Sequence, residues 1–293
     1  MLAKGADWFV EGAAGIAMRF GIPQLVIGLT IVAMGTSAPE AAVSIAAAVK
    51  GNADITIGNI VGSNILNILV ILGLAASIVP IAVARSTVRI EIPFMIGVTA
   101  LLFYQGRDGS ISLADGGVLM VAFAVYMMYL YTMAMKSNVD SDLEEPGLPL
   151  ARCLLGAVGG LALIIAGSNV TVGAATSIAT YAGLSERFIG LTIVALGTSL
   201  PELFTSVAAA RRGNADIAIG NIVGSNIFNI LFVVGLSSLI IDIPFASAFN
   251  FDTYVALGAA VLLWLCVLRT QRLQRWAGAL MLVCYAAYLG YIL

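Results

Sequence analysis

The stretch GLTIVAMGTSAPE, residues 28–40, returns as GLTIVALGTSLPE at 190–202, with 11 of 13 positions identical. Downstream, GNADITIGNIVGSNILNILVILGL at 51–74 returns as GNADIAIGNIVGSNIFNILFVVGL at 213–236, with 19 of 24 identical. Both pairs obey one offset of 162 residues, which makes the chain an internal duplication. The blocks are too apolar for a soluble protein, and the whole chain agrees. Of 293 residues, 60% are hydrophobic and 10% charged, and the mean hydropathy is +1.03. A soluble domain carries roughly 25% charged residues. The chain is therefore read as an integral membrane protein.

A membrane-crossing helix needs about 20 mostly apolar residues. Such runs fall near 5–20, 23–48, 53–79, 87–104, 113–135, 150–182, 185–210, 215–241, 252–269 and 274–292. Helices are expected because the runs are long and unbroken, whereas barrel strands would alternate over about ten residues. Residues 136–149, KSNVDSDLEEPGLP, hold four acids and two prolines and no apolar run. They read as a solvated linker between a first repeat, 1–135, and a second, 150–293. Five spans per half is an odd number, so the second half enters the membrane from the opposite side. The expected fold is all-α, with about ten transmembrane helices in two inverted-topology repeats and broken helices at the centre. On this plan ten Lys and Arg residues fall on one side and four on the other, Arg187 among the four. The basic side is expected to be cytoplasmic, with the 136–149 linker inside and both termini outside. The first span reads as short by about 14 residues, since 153–166 has no partner under the 162 offset. Either the chain as given starts downstream of its true start or the helix is truncated. No secretory signal is read at the start.

Composition also narrows function. A net charge of −2 gives no basic face for nucleic acid, and the absence of histidine removes His-ligated metals and Ser–His hydrolase chemistry. Cys153, Cys266 and Cys284 are widely spaced in apolar runs and read as core residues. No cofactor is implied. The tyrosines and methionines of 126–135 read as an interfacial belt.

Glu40 and Glu202 stand out, because each lies well inside an apolar span and the two are equivalent under the repeat. A carboxylate at membrane depth marks a functional site. Thr36 shares a helix face with Glu40, as Thr198 does with Glu202. Pro39 and Pro201 lack an N–H, and Gly35 and Gly197 loosen the preceding turn, so each helix should break there and free carbonyls near the glycine. The break offers carbonyls, the hydroxyls of Thr36, Ser37, Thr198 and Ser199, and a carboxylate, an all-oxygen set for a hard cation. Asn59, Ser63 and Asn67 form an i, i+4, i+8 row, as do Asn221, Ser225 and Asn229, and read as the other wall. Asn64 and Asn226 lie off that row and read as structural. Asp54 and Asp216 suit helix N-termini. Asp7 and Glu11 have uncharged counterparts in Asn169 and Gly173, which argues against a symmetric ligand role.

The blocks GTS-x-PE and GN-x-x-GSN-x-x-N, each present twice in this order, resemble the α-repeats of the cation/Ca²⁺ exchanger superfamily, in its prokaryotic sodium/calcium exchanger branch. The resemblance implies ten helices in two inverted repeats around four central ion sites. It implies Glu40 and Glu202 as shared acidic ligands, and Thr36 and Thr198 as calcium ligands. Ser37, Ser199, Ser63, Ser225 and the carbonyls of Ala33 and Ala195 would line sodium sites, with Asn67 and Asn229 central. Some relatives carry aspartate at one of these last two positions, and asparagine at both puts any extra potassium in doubt. The function implied is Na⁺/Ca²⁺ antiport by alternating access in the inner membrane, as a monomer. Ca²⁺/H⁺ antiport is the alternative, and a cation channel a remote one. An enzyme is not expected.

Overall fold

A computed structural model describes residues 1–51, 53–137, 148–182 and 195–292. Most of the 136–149 linker, the first part of the 185–210 span and Arg187 lie outside the described residues. The described chain is helical. Helix α1 (Leu2–Arg19) leads into α2 (Gln24–Thr36) and α3 (Ala38–Val49), which meet at a 51° bend. Then follow α4 (Ile55–Ile78), α5 (Thr87–Asp108), α6 (Leu113–Ser137) and α7 (Leu150–Tyr181). A described turn, α8 (Ala195–Thr198), leads into α9 (Leu200–Arg211). The chain ends with α10 (Ala215–Ile240), α11 (Ala248–Leu268) and α12 (Arg275–Ile292). Among the described residues seven helices are long and apolar enough to cross a membrane, and eight if α2 and α3 form one bent span.

The two helices that carry the Asn/Ser rows form the centre. In α4, 78% of the most apolar window is buried, and in α10, 94%, against 17% in α6 and α12. The outer helices turn apolar side chains outward, as Val121, Val125, Leu155 and Val283 show. That suits a hydrocarbon surround, because lipid favours an apolar exterior and leaves the polar groups for the middle. Small residues set the close contacts. A Cβ on Gly224 would lie 2.7 Å from the Leu29 carbonyl oxygen and 2.8 Å from the Ala33 Cβ, so α10 can meet α2 only through glycine.

Among the described residues four two-residue strands tie the ends. Ile81–Ala82 (β1) pairs with Arg272–Leu273 (β4), and Ser110–Ile111 (β2) with Ile243–Pro244 (β3). Adding 162 to β1 gives β3, and adding it to β2 gives β4. Exchanging the two copies therefore turns one strand pair into the other. Gly51 and Gly213 are likewise equivalent, and both sit at φ +79°, where the left-handed turn after a helix favours glycine.

Candidate functional site

Pro39 and Pro201 occupy the first turn of α3 and α9, where their missing N–H is no loss. The helix direction changes two residues before each proline, at Ser37 (φ −82°, ψ 6°) and Ser199 (φ −87°, ψ 4°). Glu40 and Glu202 thus stand in the first turn of a helix, where the N-terminal dipole favours a negative charge. The second break frees less backbone than expected, because the Gly197 carbonyl accepts a 2.6 Å hydrogen bond from Ser168 Oγ. In the first copy the Ser37 N–H bonds the Ala33 carbonyl at 3.0 Å, and Pro39 has no N–H to offer the Gly35 carbonyl.

The two copies cross-brace each other. Ser37 Oγ donates to Glu202 Oε1 at 2.8 Å, and Ser199 Oγ to Glu40 Oε1 at 3.3 Å. Each carboxylate therefore lies one hydrogen bond from the break of the opposite copy. Ser225 Oγ donates to the Ala33 carbonyl at 3.3 Å, which joins two of the expected oxygens across 192 residues of sequence. Ser63 is buried on α4, and Thr198 lies beside Glu40. Thr36 Oγ1 lies 2.9 Å from Asn221 Oδ1 and 3.1 Å from the Val32 carbonyl.

Asn59 and Asn221 act as braces. Asn59 Nδ2 donates to the Glu40 carbonyl at 3.2 Å and to Ser44 Oγ at 2.9 Å. Asn221 Nδ2 donates to the Glu202 carbonyl at 3.4 Å and to Ser206 Oγ at 2.9 Å. Ser44 and Ser206 escaped the sequence reading because they lie outside the two long blocks, although they too repeat at the 162 offset. Asn64 and Asn226 are structural, as expected. They exchange amide-to-carbonyl bonds of 3.2 Å, and their side-chain oxygens accept from Asn229 and Asn67 at 3.1 and 2.9 Å. This fixes the Asn67 and Asn229 amides by their NH₂ groups and leaves their oxygens free. Asn67 and Asn229 also each open a π-helical stretch, Asn67–Leu72 and Asn229–Val234. Such wide turns concentrate at functional sites, and no residue pattern announced them.

Among the described residues four buried oxygens remain without a hydrogen-bond partner at this centre: Glu40 Oε2, Glu202 Oε2, Asn67 Oδ1 and Asn229 Oδ1. Two come from each copy. An unsatisfied buried acceptor is expensive, and four of them, with two carboxylates among them, call for a cation. Among the described residues no three of Asp, Glu, His and Cys gather, so the site is a carboxylate pair set in neutral oxygens.

A family model described as sodium/calcium exchanger protein matches residues 1–132 and 153–293. The chain belongs to the sodium/calcium exchanger family. As a member it is a membrane antiporter, a secondary transporter and not an enzyme. It is 32% identical over 336 residues to the sodium/calcium exchanger MaX1 of Methanosarcina acetivorans, covering 98% of this chain and 94% of the relative. It is 41% identical over 253 residues to the inner membrane protein YrbG of Escherichia coli, covering 82% and 77%. A solved structure of the sodium-calcium exchanger NCX_Mj matches with a TM-score of 0.87 at 34% identity, covering 99% of this chain and 94% of that one. In this fold two copies of one motif meet at the middle of the protein, as the Ser37–Glu202 and Ser199–Glu40 bonds show.

Two expectations need correction or extension. Tyr126 and Tyr129 do not belong to an outward belt. Tyr126 is buried and stacked on Phe94, and the Tyr129 hydroxyl donates to Glu91, while Tyr131 and Met128 remain exposed. A helix turns successive residues by about 100°, so one aromatic run serves two faces. Glu91 is fully buried and was missed, because it follows Arg89 so closely that it read as a loop-proximal charge.

Proposed function

We propose that this antiporter exchanges Na⁺ for Ca²⁺ at one central cage in which Glu40 and Glu202 are the charged ligands. The observation that carries the reading is the set of four unpartnered buried oxygens, contributed equally by the two copies. Ca²⁺ takes six to eight oxygens at about 2.3–2.6 Å, more than the two carboxylates supply. Thr36, Thr198, Asn67 and Asn229 are the natural additions. Ser37, Ser199, Ser63, Ser225 and the Ala33 and Ala195 carbonyls form the sodium-lining set, with Ser225 and the Ala33 carbonyl already in contact. One Ca²⁺ cancels the two carboxylates. Several Na⁺ sharing the cage neutralise the same charge. Bare carboxylates in a low-dielectric centre are costly, so loaded cages can cross between the two sides and the empty cage resists crossing. That asymmetry produces exchange.

The scaffold is read as ten transmembrane spans in two inverted five-helix repeats, 1–135 and 150–293, joined by the cytoplasmic linker 136–149. The exchange of strand pairs under the 162 offset supports this reading, as do the paired bonds of Asn64 with Asn226. The termini are placed outside, the protein in the cell inner membrane, and the functional unit is a monomer. Gly35, Pro39, Gly197 and Pro201 set the two breaks.

The test is ⁴⁵Ca²⁺ uptake into vesicles loaded with Na⁺ and diluted into Na⁺-free buffer. Uptake that requires the outward Na⁺ gradient supports the reading. Uptake driven as well by a pH jump with no sodium present shifts it to Ca²⁺/H⁺ exchange, and single-channel currents would shift it to a channel.

A further inference from the structure

Glu91 lies outside the central cage, and the exchange mechanism makes no use of it. It is fully buried in the first turns of α5, within the π-helical stretch Thr87–Glu91. Its Oε1 accepts a hydrogen bond from the Tyr129 hydroxyl of α6. Its Oε2 has no partner. Two more buried oxygens are orphaned beside it, Thr87 Oγ1 and the Tyr126 hydroxyl. Thr87 precedes Glu91 by four residues and Tyr126 precedes Tyr129 by three, so each pair shares one helix face. The α5 pair and the α6 pair face each other. Tyr126 is held by its stack on Phe94, and Trp264 Nε1 donates to the Val88 carbonyl at 2.9 Å, which pins the backbone between Thr87 and Glu91.

We infer that Thr87, Glu91, Tyr126 and Tyr129 form a second site for one Na⁺, separate from the exchange cage. Glu91 Oε2, Thr87 Oγ1 and the Tyr126 hydroxyl form no well-aligned hydrogen bond with one another, although Thr87 lies close enough to act on the Glu91 carboxylate. A sodium ion, like calcium in size, binds oxygens at about 2.4 Å and so bridges groups that make no direct hydrogen bond. One fully buried carboxylate matches one monovalent charge, and a divalent ion would leave an uncompensated charge in the same low-dielectric surroundings. Asp216, at the start of α10, is near enough to act on Glu91 electrostatically but is only partly buried, and it adds attraction for a cation from outside the cluster.

The experiment is equilibrium ²²Na⁺ binding to the purified full-length protein carrying Glu40→Gln and Glu202→Gln, which strips the central carboxylates. Saturable Na⁺ binding is expected to persist. Adding Glu91→Gln should weaken it by at least about tenfold. Adding Tyr126→Phe, which keeps the carboxylate and the ring, should weaken it severalfold. If Glu91→Gln fails to fold, Tyr126→Phe decides alone. No saturable sodium binding in the double variant overturns the site and leaves a water or a proton as the occupant. Binding that neither added substitution weakens also overturns it. The double variant lacks the exchange carboxylates, so either result stands independently of the exchange reading.

Discussion

The two broken helices carry one motif in two different settings. In the first copy Gly35 faces the apolar ends of Phe9 and Leu161. In the second copy the Gly197 carbonyl is held by Ser168 of α7, whose equivalent in α1 is Ala6. The flanking helices differ as well: α7 has 32 residues and α1 has 18. Arg212 pairs with Asp7 at 3.2 Å and Glu11 at 3.3 Å, the only ion pairs among the described residues. Its equivalent, Lys50, has no such option, because the counterparts of the two acids are Asn169 and Gly173. The positions proposed to hold the ion are matched between the copies, while the scaffold behind them differs. Groups that share one ion are bound to its symmetry, and groups that only hold a helix in place can be exchanged for others that do the same.

Substitutions at matched positions test how far that symmetry reaches. The largest effect is expected from Glu40→Gln and Glu202→Gln. Each removes half the anionic charge of the cage, and each should abolish Na⁺-driven ⁴⁵Ca²⁺ uptake at normal expression. Full transport in either variant would remove that carboxylate from the site. Next come Asn67→Ala and Asn229→Ala, which each delete one orphan oxygen and should weaken Ca²⁺ binding about tenfold, or ~1.4 kcal/mol. Equal losses would keep the two copies equivalent, whereas a loss at one position alone would show a site built off the axis.

The asymmetric scaffold should show itself in stability instead. A Cβ at position 197 would stand 2.0 Å from Val172 Cγ2, on a stiff branched side chain, while one at position 35 meets the flexible end of Leu161 at 3.1 Å. Gly197→Ala should therefore destabilise the protein by about 1–3 kcal/mol, the usual range for overpacking, and Gly35→Ala by clearly less. Thermal unfolding in detergent compares them, and equal shifts would contradict the packing difference. The smallest effect is expected from Arg212→Gln. Its partners are nearly half exposed, so the loss should stay within about 1 kcal/mol, against none for Lys50→Gln. A larger loss would make the Arg212 pairs a structural tie between α1 and the end of α9.

Much of this protein was legible without coordinates, because membrane burial leaves a clear mark on sequence. Long apolar runs announce helices, since lipid offers the backbone no other partners. A carboxylate repeated inside such runs announces a site, since nothing else justifies its cost. The 162-residue offset alone paired Glu40 with Glu202 and Pro39 with Pro201. Other features depend on which atoms meet in space, and linear order does not record that. Only the tertiary structure turned Ser37 toward Glu202 and Ser199 toward Glu40, made braces of Asn59 and Asn221, and opened π-helical turns at Asn67 and Asn229. Only packing drew Glu91 in from a charged helix end to meet Tyr129. Sequence determines which residues must leave the lipid. The folded chain decides which partners they find there, because each buried polar atom must be satisfied by whatever side chain or ion the packing brings within about 3 Å.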